Sequence, residues 1–408
     1  MSAPPYPAPT GRYPVGFADG EVLDHVYPRW RPHEVEGRRL SLRVWYPARA
    51  GADGPRWRGD IEVFRAHSND NFLSADCLEQ LATSTASARQ GVEVEPGPWP
   101  VLLFSHGANG FVDQSLSLME ELASHGYLAV AFGHPGGACA VRHLDGSITY
   151  LDPEFTEDVA AIVPPMIAAF SSGTEARLAF ARSEWIAGRA GRHNTRWADD
   201  YRSVLDALHQ AGVSGSATVP LAQGDLAHVA AGGFSFSGPA ATLVAHQDER
   251  LIAGINLDGG DWRPELLDTE VRCPTLALAS DQPRNLPRLL GPGVELVDFH
   301  EFSYESLASI GTRSDVHRLV IAGTAHFELT DLALTPSQLR SVMPGAGQVD
   351  SALAVARTRD VVRGFLDRYL RGAGSFPDEQ LQAHPEVQQV DLGPIREWAA
   401  HRAPLSRV

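Results

Sequence analysis

The sequence has no lysine: its 34 basic side chains are all arginine, set against 50 carboxylates for a formal charge of −16. With alanine, glycine and proline abundant, that absence follows the bias of GC-rich codons and carries no functional weight. The shortage of positive charge does. Nucleic-acid binding needs clustered cations that displace counterions, and docking on anionic lipid needs a basic face; neither partner is expected. Cysteine is equally scarce, with Cys77, Cys139 and Cys273 odd in number and widely spaced, so neither a disulfide framework nor a structural zinc site is expected. No apolar run approaches the roughly 18–20 residues that span a bilayer, so stable membrane insertion is not expected. The start, MSAPPYPAPTGRYPVGF, has no basic stretch followed by an apolar core. No signal peptide is therefore read, and a cytoplasmic location is expected. Internal repeats and long low-complexity segments are also missing.

What is present is an ordinary globular composition, 43% hydrophobic and 21% charged over 408 residues, enough to bury a large core in one domain with insertions. Residues 1–37 read as an N-terminal extended segment. RRLSLRVWYPA (38–48) alternates apolar residues and ends in proline, predicting an early strand. PWPVLLFSHG (98–107) is an apolar run ending in small residues, LSLMEELASHG (116–126) has helical spacing, and YLAVAFGHPGG (127–137) is a second apolar run opening into a glycine loop. Strand, loop, helix and strand in that order form the βαβ rhythm of a parallel sheet buried on both faces. The rhythm resumes at DLAHVAAGGFSFSG (225–238) and continues through RLIAGINLDGG, CPTLALASD and HRLVIAGTAH. DSALAVARTRDVVRGFLDRYLRG (350–372) predicts an amphipathic helix stopped by Gly372. The expected fold is α/β, a mostly parallel sheet with helices on both faces, spanning 38–372. Insertions are read at about 51–97 and 151–224, the second as a cap, with 373–408 as a tail.

Two serines stand in the glycine-rich AAGGFSFSGPAA (230–241). A nucleophile elbow, G-x-S-x-G, places serine on a strained turn between strand and helix, with small residues two positions either side. Gly233-Phe234-Ser235-Phe236-Ser237 fits with Ser235 as the nucleophile; Ser237 as nucleophile fits worse, because Pro239 then stands at plus two. FSHGANG (104–110) has the form of a loop carrying an oxyanion donor. Ala108 is the expected donor there, Phe236 the second, and His106 orients the loop. A base must follow in chain order, and His326 in GTAHFELTD lies just beyond a β-rich run. For the acid, Asp258, Asp261 and Asp281 are candidates, and strand-end position alone favours Asp281. Phe234, His134 and Trp262 are read as residues lining the substrate site, with a structural role the preferred alternative for His134 and Trp262. The apolar VAAIVPPMIAAF (159–170) reads equally as a roof over the site or as helix core.

Taken together, WYPA, FSHG with LASHGYLAVAFGHPGG, FSFSG, LDGGDW and GTAHFELTD resemble the plasma-type platelet-activating-factor acetylhydrolases of the α/β-hydrolase superfamily. Dienelactone-hydrolase-like and cutinase-like enzymes share the broad layout. The resemblance implies an α/β-hydrolase fold and metal-independent hydrolysis of a small-molecule ester without a cofactor. It also implies an acid drawn from the LD motif, which moves the choice to Asp258, whereas the dienelactone-hydrolase layout keeps Asp281. Two departures stand out. Ser237 occupies a position where that family has glycine, and 151–224 is long, so substrate preference does not transfer. The expected activity is ester cleavage of an apolar or short acyl group through an acyl-serine. The same acyl-serine would serve an acyltransferase or macrocyclase with an alcohol or amine acceptor, and a catalytically silent binding protein is the reading from another class. Serine in place of aspartate at the elbow speaks against dehalogenase or epoxide-hydrolase chemistry.

Overall fold

Strands that are apolar along most of their length cannot leave either face in water, and in the computed structural model they stack side by side as the centre of one sheet. The structure describes residues 6–27, 37–70, 74–210, 213–215, 220–260, 263–282, 284–285, 298, 300–335 and 348–401. The strands are β1 (Val15–Asp24), β2 (Arg38–Pro47), β3 (Arg89–Gln90), β4 (Trp99–Ser105), β5 (Leu128–Phe132), β6 (Ala140–Arg142), β7 (Ile148–Tyr150), β8 (Val213–Gly215), β9 (Gly224–Phe234), β10 (Leu251–Leu257), β11 (Thr275–Ser280), β12 (Val316–Ile321) and β13 (Val387–Gln389). The helices are α1 (Ile61–Asp70), α2 (Ala75–Thr83), α3 (Leu116–Ser124), α4 (Pro153–Ala160), α5 (Val163–Phe170), α6 (Thr174–Ala187), α7 (Arg189–Gln210), α8 (Ser237–Gln247), α9 (Ser351–Arg371), α10 (Asp378–Ala383) and α11 (Gly393–Ala400).

The sheet runs β13-β12-β11-β10-β9-β4-β5-β2-β1-β3, with β8 also on β1, while β6 and β7 form a separate hairpin. From β12 to β5 every neighbouring pair is parallel. At the margins β2, β1 and β13 pair antiparallel with their inner neighbours. Alternation within each strand divides the core in two. Leu102, Phe104, Ala129, Ala131, Phe234, Ile255, Leu278 and Leu319 face a layer containing α3, α9, α1 and α2. Val101, Leu103, Val130, Phe132, Val229, Ala231 and Ala277 face α7 and α8. The amphipathic helix predicted over 350–372 is α9; Asp350 caps its first turn by accepting from the Leu353 amide at 3.1 Å, and Gly372, at φ 64°, ends it.

Three boundaries read from the sequence require correction. Residues 1–37 are not merely an extended lead-in, because β1 pairs with β2 along all ten of its residues. Residues 373–408 are not only a tail, since β13 adds an antiparallel edge to β12 through Leu319, Val320 and Ile321. The second half of 151–224 is not a cap: α7 buries Trp197, Tyr201, Val204, Leu205 and Leu208 in the core beside α8. These errors share a cause. Edge pairing and helix docking are long-range choices, and a local pattern of apolar residues does not record its partner. Among the described residues no helix is long and apolar enough to cross a membrane. Cys139 and Cys273 are buried.

The loop that follows β12 is anchored to α3 by a buried carboxylate. Asp331 accepts from the Ser117 amide at 2.7 Å and from the Ser117 hydroxyl. Burial raises Asp331 to about 6, against the Ser117 hydrogen bonds. On the same helix burial raises Glu120 to about 7, the amides of Ala88 and Ser87 opposing it and the charge of Asp331 adding to it. Both folded-state values lie above those of an unfolded chain. The stabilisation they bring is complete below the ordinary carboxyl range and is lost as pH rises through about 6 to 7. Between pH 5 and 8 the Glu120 carboxyl should remove on the order of 3 kcal/mol of stability. Urea unfolding at several pH values should show Glu120→Gln flattening that decline; equal slopes in the two proteins would refute the assignment.

Candidate active site

Strand β9 ends at Phe234 and helix α8 begins at Ser237, so two residues must reverse the chain. Ser235 does so at φ 52°, in the left-handed region that a side chain adopts only at a cost of about 1–3 kcal/mol. Its amide donates to Leu257 O at 2.7 Å and its carbonyl accepts from the Gly238 amide at 3.0 Å, so both sides of the turn are held. Gly233 has to be glycine here: a Cβ on it would lie 2.6 Å from the Ser237 backbone. Ser237 is fully buried, and its hydroxyl donates to His106 O at 2.6 Å. Ser235, by contrast, is half-buried with its hydroxyl at the strand ends.

His326 opens the short turn after β12. Its Nε2 lies 2.9 Å from Ser235 Oγ and its Nδ1 lies 2.6 Å from Asp258 Oδ2. An ionised carboxylate only accepts, so Nδ1 carries the proton and Nε2 is left to accept from the serine hydroxyl. Asp258 follows β10 at φ 56° and is buried. Its carboxylate also accepts from the Ser280 amide at 2.8 Å, the Ser280 hydroxyl at 2.7 Å and Gln282 Nε2 at 2.9 Å. Burial alone would raise its pKa; the hydrogen bond and charge of His326, with the two bonds from Ser280, outweigh burial and hold it below the usual carboxylate range. Asp281 does not contact His326. It accepts from the Gly323 amide at 2.8 Å, and its own amide donates to Thr324 O at 3.0 Å. Asn285 donates to the same Thr324 carbonyl at 2.8 Å. Asp281 thus fixes the backbone that delivers His326.

The loop after β4 presses on Ser235: a Cβ on Gly107 would lie 3.0 Å from Ser235 Cβ. Asn109 N donates to Gly137 O at 2.9 Å, Gly110 N to Gly107 O at 3.0 Å, and His67 Nδ1 lies 2.7 Å from Asn109 O. The Ala108 amide has no acceptor among the described residues. Phe236 opens α8 on the other side of Ser235, and its carbonyl accepts from Asn194 Nδ2 at 2.7 Å. Phe155, from α4, meets the Phe236 ring edge-on at 5.6 Å and so ties the inserted helices to the elbow. Helix α5 lies farther out, with Val163 exposed and only Ala169 and Phe170 buried.

Two residues read as lining a substrate site occupy other positions. His134 is fully buried, stacked on Trp197 at 3.9 Å and hydrogen-bonded to Asp200 at 2.7 Å, so it stands behind the elbow. Phe234 is fully buried and stacks on the His326 ring at 4.7 Å, supporting the imidazole from beneath. Asp261 and Trp262 lie outside the described residues. The sequence reading missed Ser280 and Gln282, the donors to Asp258, although Ser280 directly precedes a candidate acid. It also missed Asn194, Trp197, Asp200 and Tyr201 on α7, where their three-and-four spacing marks one helix face.

The family described as platelet-activating factor acetylhydrolase, isoform II, matches residues 5–147, which include FSHG and GHPGG and stop before the elbow. Among solved structures, a ferulic acid esterase from Streptomyces cinnamoneus is 25% identical, with a TM-score of 0.68 over 95% of this chain and 100% of that one. A dienelactone hydrolase-like promiscuous phosphotriesterase from metagenomic libraries is 16% identical over 87% of this chain and 98% of its own, with a TM-score of 0.42. No curated protein matches the sequence.

The two carboxylates should separate in a reactivity assay that needs no substrate. Asp258→Asn should slow modification of Ser235 by a fluorophosphonate about 10³-fold or more, because the asparagine amide favours the wrong imidazole tautomer. Asp281→Asn should change that rate by less than about 10-fold. A larger loss at Asp281 than at Asp258 would reverse the assignment.

Proposed function

We propose that this α/β-hydrolase, a serine carboxylic ester hydrolase similar to the platelet-activating-factor acetylhydrolases, cleaves a small ester through an acyl-serine formed by Ser235, His326 and Asp258. The observation that carries the reading is the continuous line of hydrogen bonds from Ser235 Oγ through His326, 2.9 and 2.6 Å long, ending on a buried carboxylate. Ser235 Oγ attacks the ester carbonyl while His326 Nε2 takes its proton, and Asp258 stabilises the resulting imidazolium. The oxyanion rests on the amides of Ala108 and Phe236, which stand either side of the serine. His326 then returns the proton to the departing alcohol. In the second half-reaction His326 takes a proton from water, the hydroxide attacks the acyl-serine, and the carboxylic acid leaves as Ser235 recovers its proton.

The acyl group is apolar or short. Phe236, next to the serine, is backed by the buried Phe155, and we place the remaining part of the cap, α4 to α6, over that side. Esters of acetate and of ferulate therefore bracket the expected range, the second drawn from the similar esterase.

Turnover of p-nitrophenyl acetate provides the test. Ser235→Ala and His326→Ala should each lower kcat at least about 10⁴-fold, and a fluorophosphonate should label Ser235 alone. Labelling at Ser237, or turnover retained in Ser235→Ala, would overturn the reading.

A further inference from the structure

A second serine–histidine–carboxylate array stands directly behind the first. Ser237 Oγ lies 3.3 Å from His134 Nε2, and His134 Nδ1 lies 2.7 Å from Asp200 Oδ2. Asp200 in turn receives Arg38 Nε at 2.5 Å and Nη2 at 2.9 Å. Ser237 and His134 are 0% exposed, Asp200 1% and Arg38 6%, so no substrate reaches any of them. The array joins four separate elements: Arg38 begins β2, Asp200 belongs to α7, His134 follows β5 and Ser237 begins α8.

The protons show what it holds. Asp200 is ionised by its Arg38 partner and accepts His134 Nδ1–H, which leaves Nε2 without a proton. The single Ser237 proton is therefore shared by two acceptors, mainly the nearer His106 carbonyl at 2.6 Å, with His134 Nε2 at 3.3 Å as the second. The main-chain amide of His134 donates to His106 Nε2 at 3.3 Å, so His106 keeps its proton on Nδ1 and gives it to Gly107 O at 2.7 Å. Burial, with His134 adding to it, lowers His106 to about 3 and keeps it neutral. Both polar ends of His106 are thus gripped, its carbonyl by Ser237 and its ring by the His134 amide. The next residues are Gly107 and Ala108. Arg38 Nη2 also donates to Pro135 O at 3.2 Å, steadying the turn whose Gly137 carbonyl accepts from Asn109. On the far side Asn194, on the same face of α7 as Asp200, holds the Phe236 carbonyl.

We propose that Ser237, His134 and Asp200 form a positioning relay that sets the oxyanion loop against the nucleophile, a role that rests on the reading of Ala108 and Phe236 as oxyanion donors. The hydroxyl at plus two is the key contact. A glycine there would leave the turn intact and release the His106 carbonyl. A buried polar array adds little net stability compared with apolar side chains of the same volume. What it adds is direction, and an oxyanion donor is useful only where the charge develops.

The experiment compares wild type with Ser237→Ala, and with Asp200→Asn as a second variant of unchanged volume, using p-nitrophenyl acetate. Active sites are counted by fluorophosphonate titration carried to completion. A positioning role predicts a nearly full count of titratable sites, KM within about 2-fold, and kcat per titrated site lower by about 10- to 100-fold in Ser237→Ala, less than the loss of a whole donor. A trifluoromethyl ketone, whose adduct carries the oxyanion, should lose affinity in parallel with kcat. A merely structural role would instead reduce the count of titratable sites and leave kcat per site and the ketone affinity unchanged, which would overturn the proposal. Ser235→Ala serves as the control. If it still turns over, the reading of the site itself fails; if it is inactive while both test variants match wild type, only the relay fails.

Discussion

Everything at the strand ends depends on one backbone torsion, the positive φ of Ser235. A left-handed residue between a strand and a helix turns the chain within two residues and stands its side chain clear of both elements. The same torsion pulls Ser237 back against Gly233, which is why the minus-two residue has no room for a side chain. Strain of this kind persists only where surroundings over-determine it. Here the hydrogen bonds of the Ser235 amide and carbonyl, the apolar packing of Phe234 under His326, and the Asn194 grip on Phe236 all oppose relaxation. The cost is met by burial of α8, whose residues from Ser237 to Ala245 are all enclosed.

The second constraint is that buried polar groups must be satisfied. Asp258 has four donors aimed at it, and each also fixes something else: Ser280 belongs to β11, Gln282 follows it, and His326 arrives from β12. Three strand ends are therefore coupled through one carboxylate. The loop before Ser235 obeys the same rule through His106, whose neutral ring and carbonyl both have partners. Helix α7 links these systems, since one face of it reaches Phe236, His134 and, through the Tyr201 hydroxyl at 2.6 Å, the Gly232 carbonyl of β9.

Much of this was legible in the residues because the signals are local. Apolar runs closed by glycine identify parallel strands, and a small-x-Ser-x-small turn between strand and helix identifies the elbow. Chain order points to His326, whose Nε2 lies 2.9 Å from Ser235 Oγ. The acid was not settled by position, because Asp258 and Asp281 both follow strands and differ only in what their carboxylates meet in three dimensions. Helix α7 was misread for a related reason. Its periodicity shows a helix with two faces, but the buried face sets Asn194 and Asp200 among Trp197 and Tyr201, and buried polar side chains weaken the apolar signal that marks a core helix. For His134 two readings stood open, because a histidine in a glycine loop beside a site has the same sequence signature whether it faces the ligand or the core.

The two aspartates at neighbouring strand ends divide one task. An imidazole that must exchange protons with a serine needs its ring oriented and its position held, and a single carboxylate cannot do both. A carboxylate on Nδ1 sets tautomer and rotation but leaves the main chain of the histidine free to drift. A carboxylate on the preceding amides fixes the main chain but has no influence on the ring. In this chain Asp258 takes the ring and Asp281 takes the backbone at Gly323 and Thr324. Asp281 directly follows β11, beside the strand that delivers His326, and its carboxylate accepts from the Gly323 amide at 2.8 Å. Asp258 follows β10, one strand farther in and next to β9, which leads to Ser235, and its carboxylate lies 2.6 Å from His326 Nδ1. The aspartate after β10 thus meets the imidazole, and the aspartate after β11 holds the turn before it.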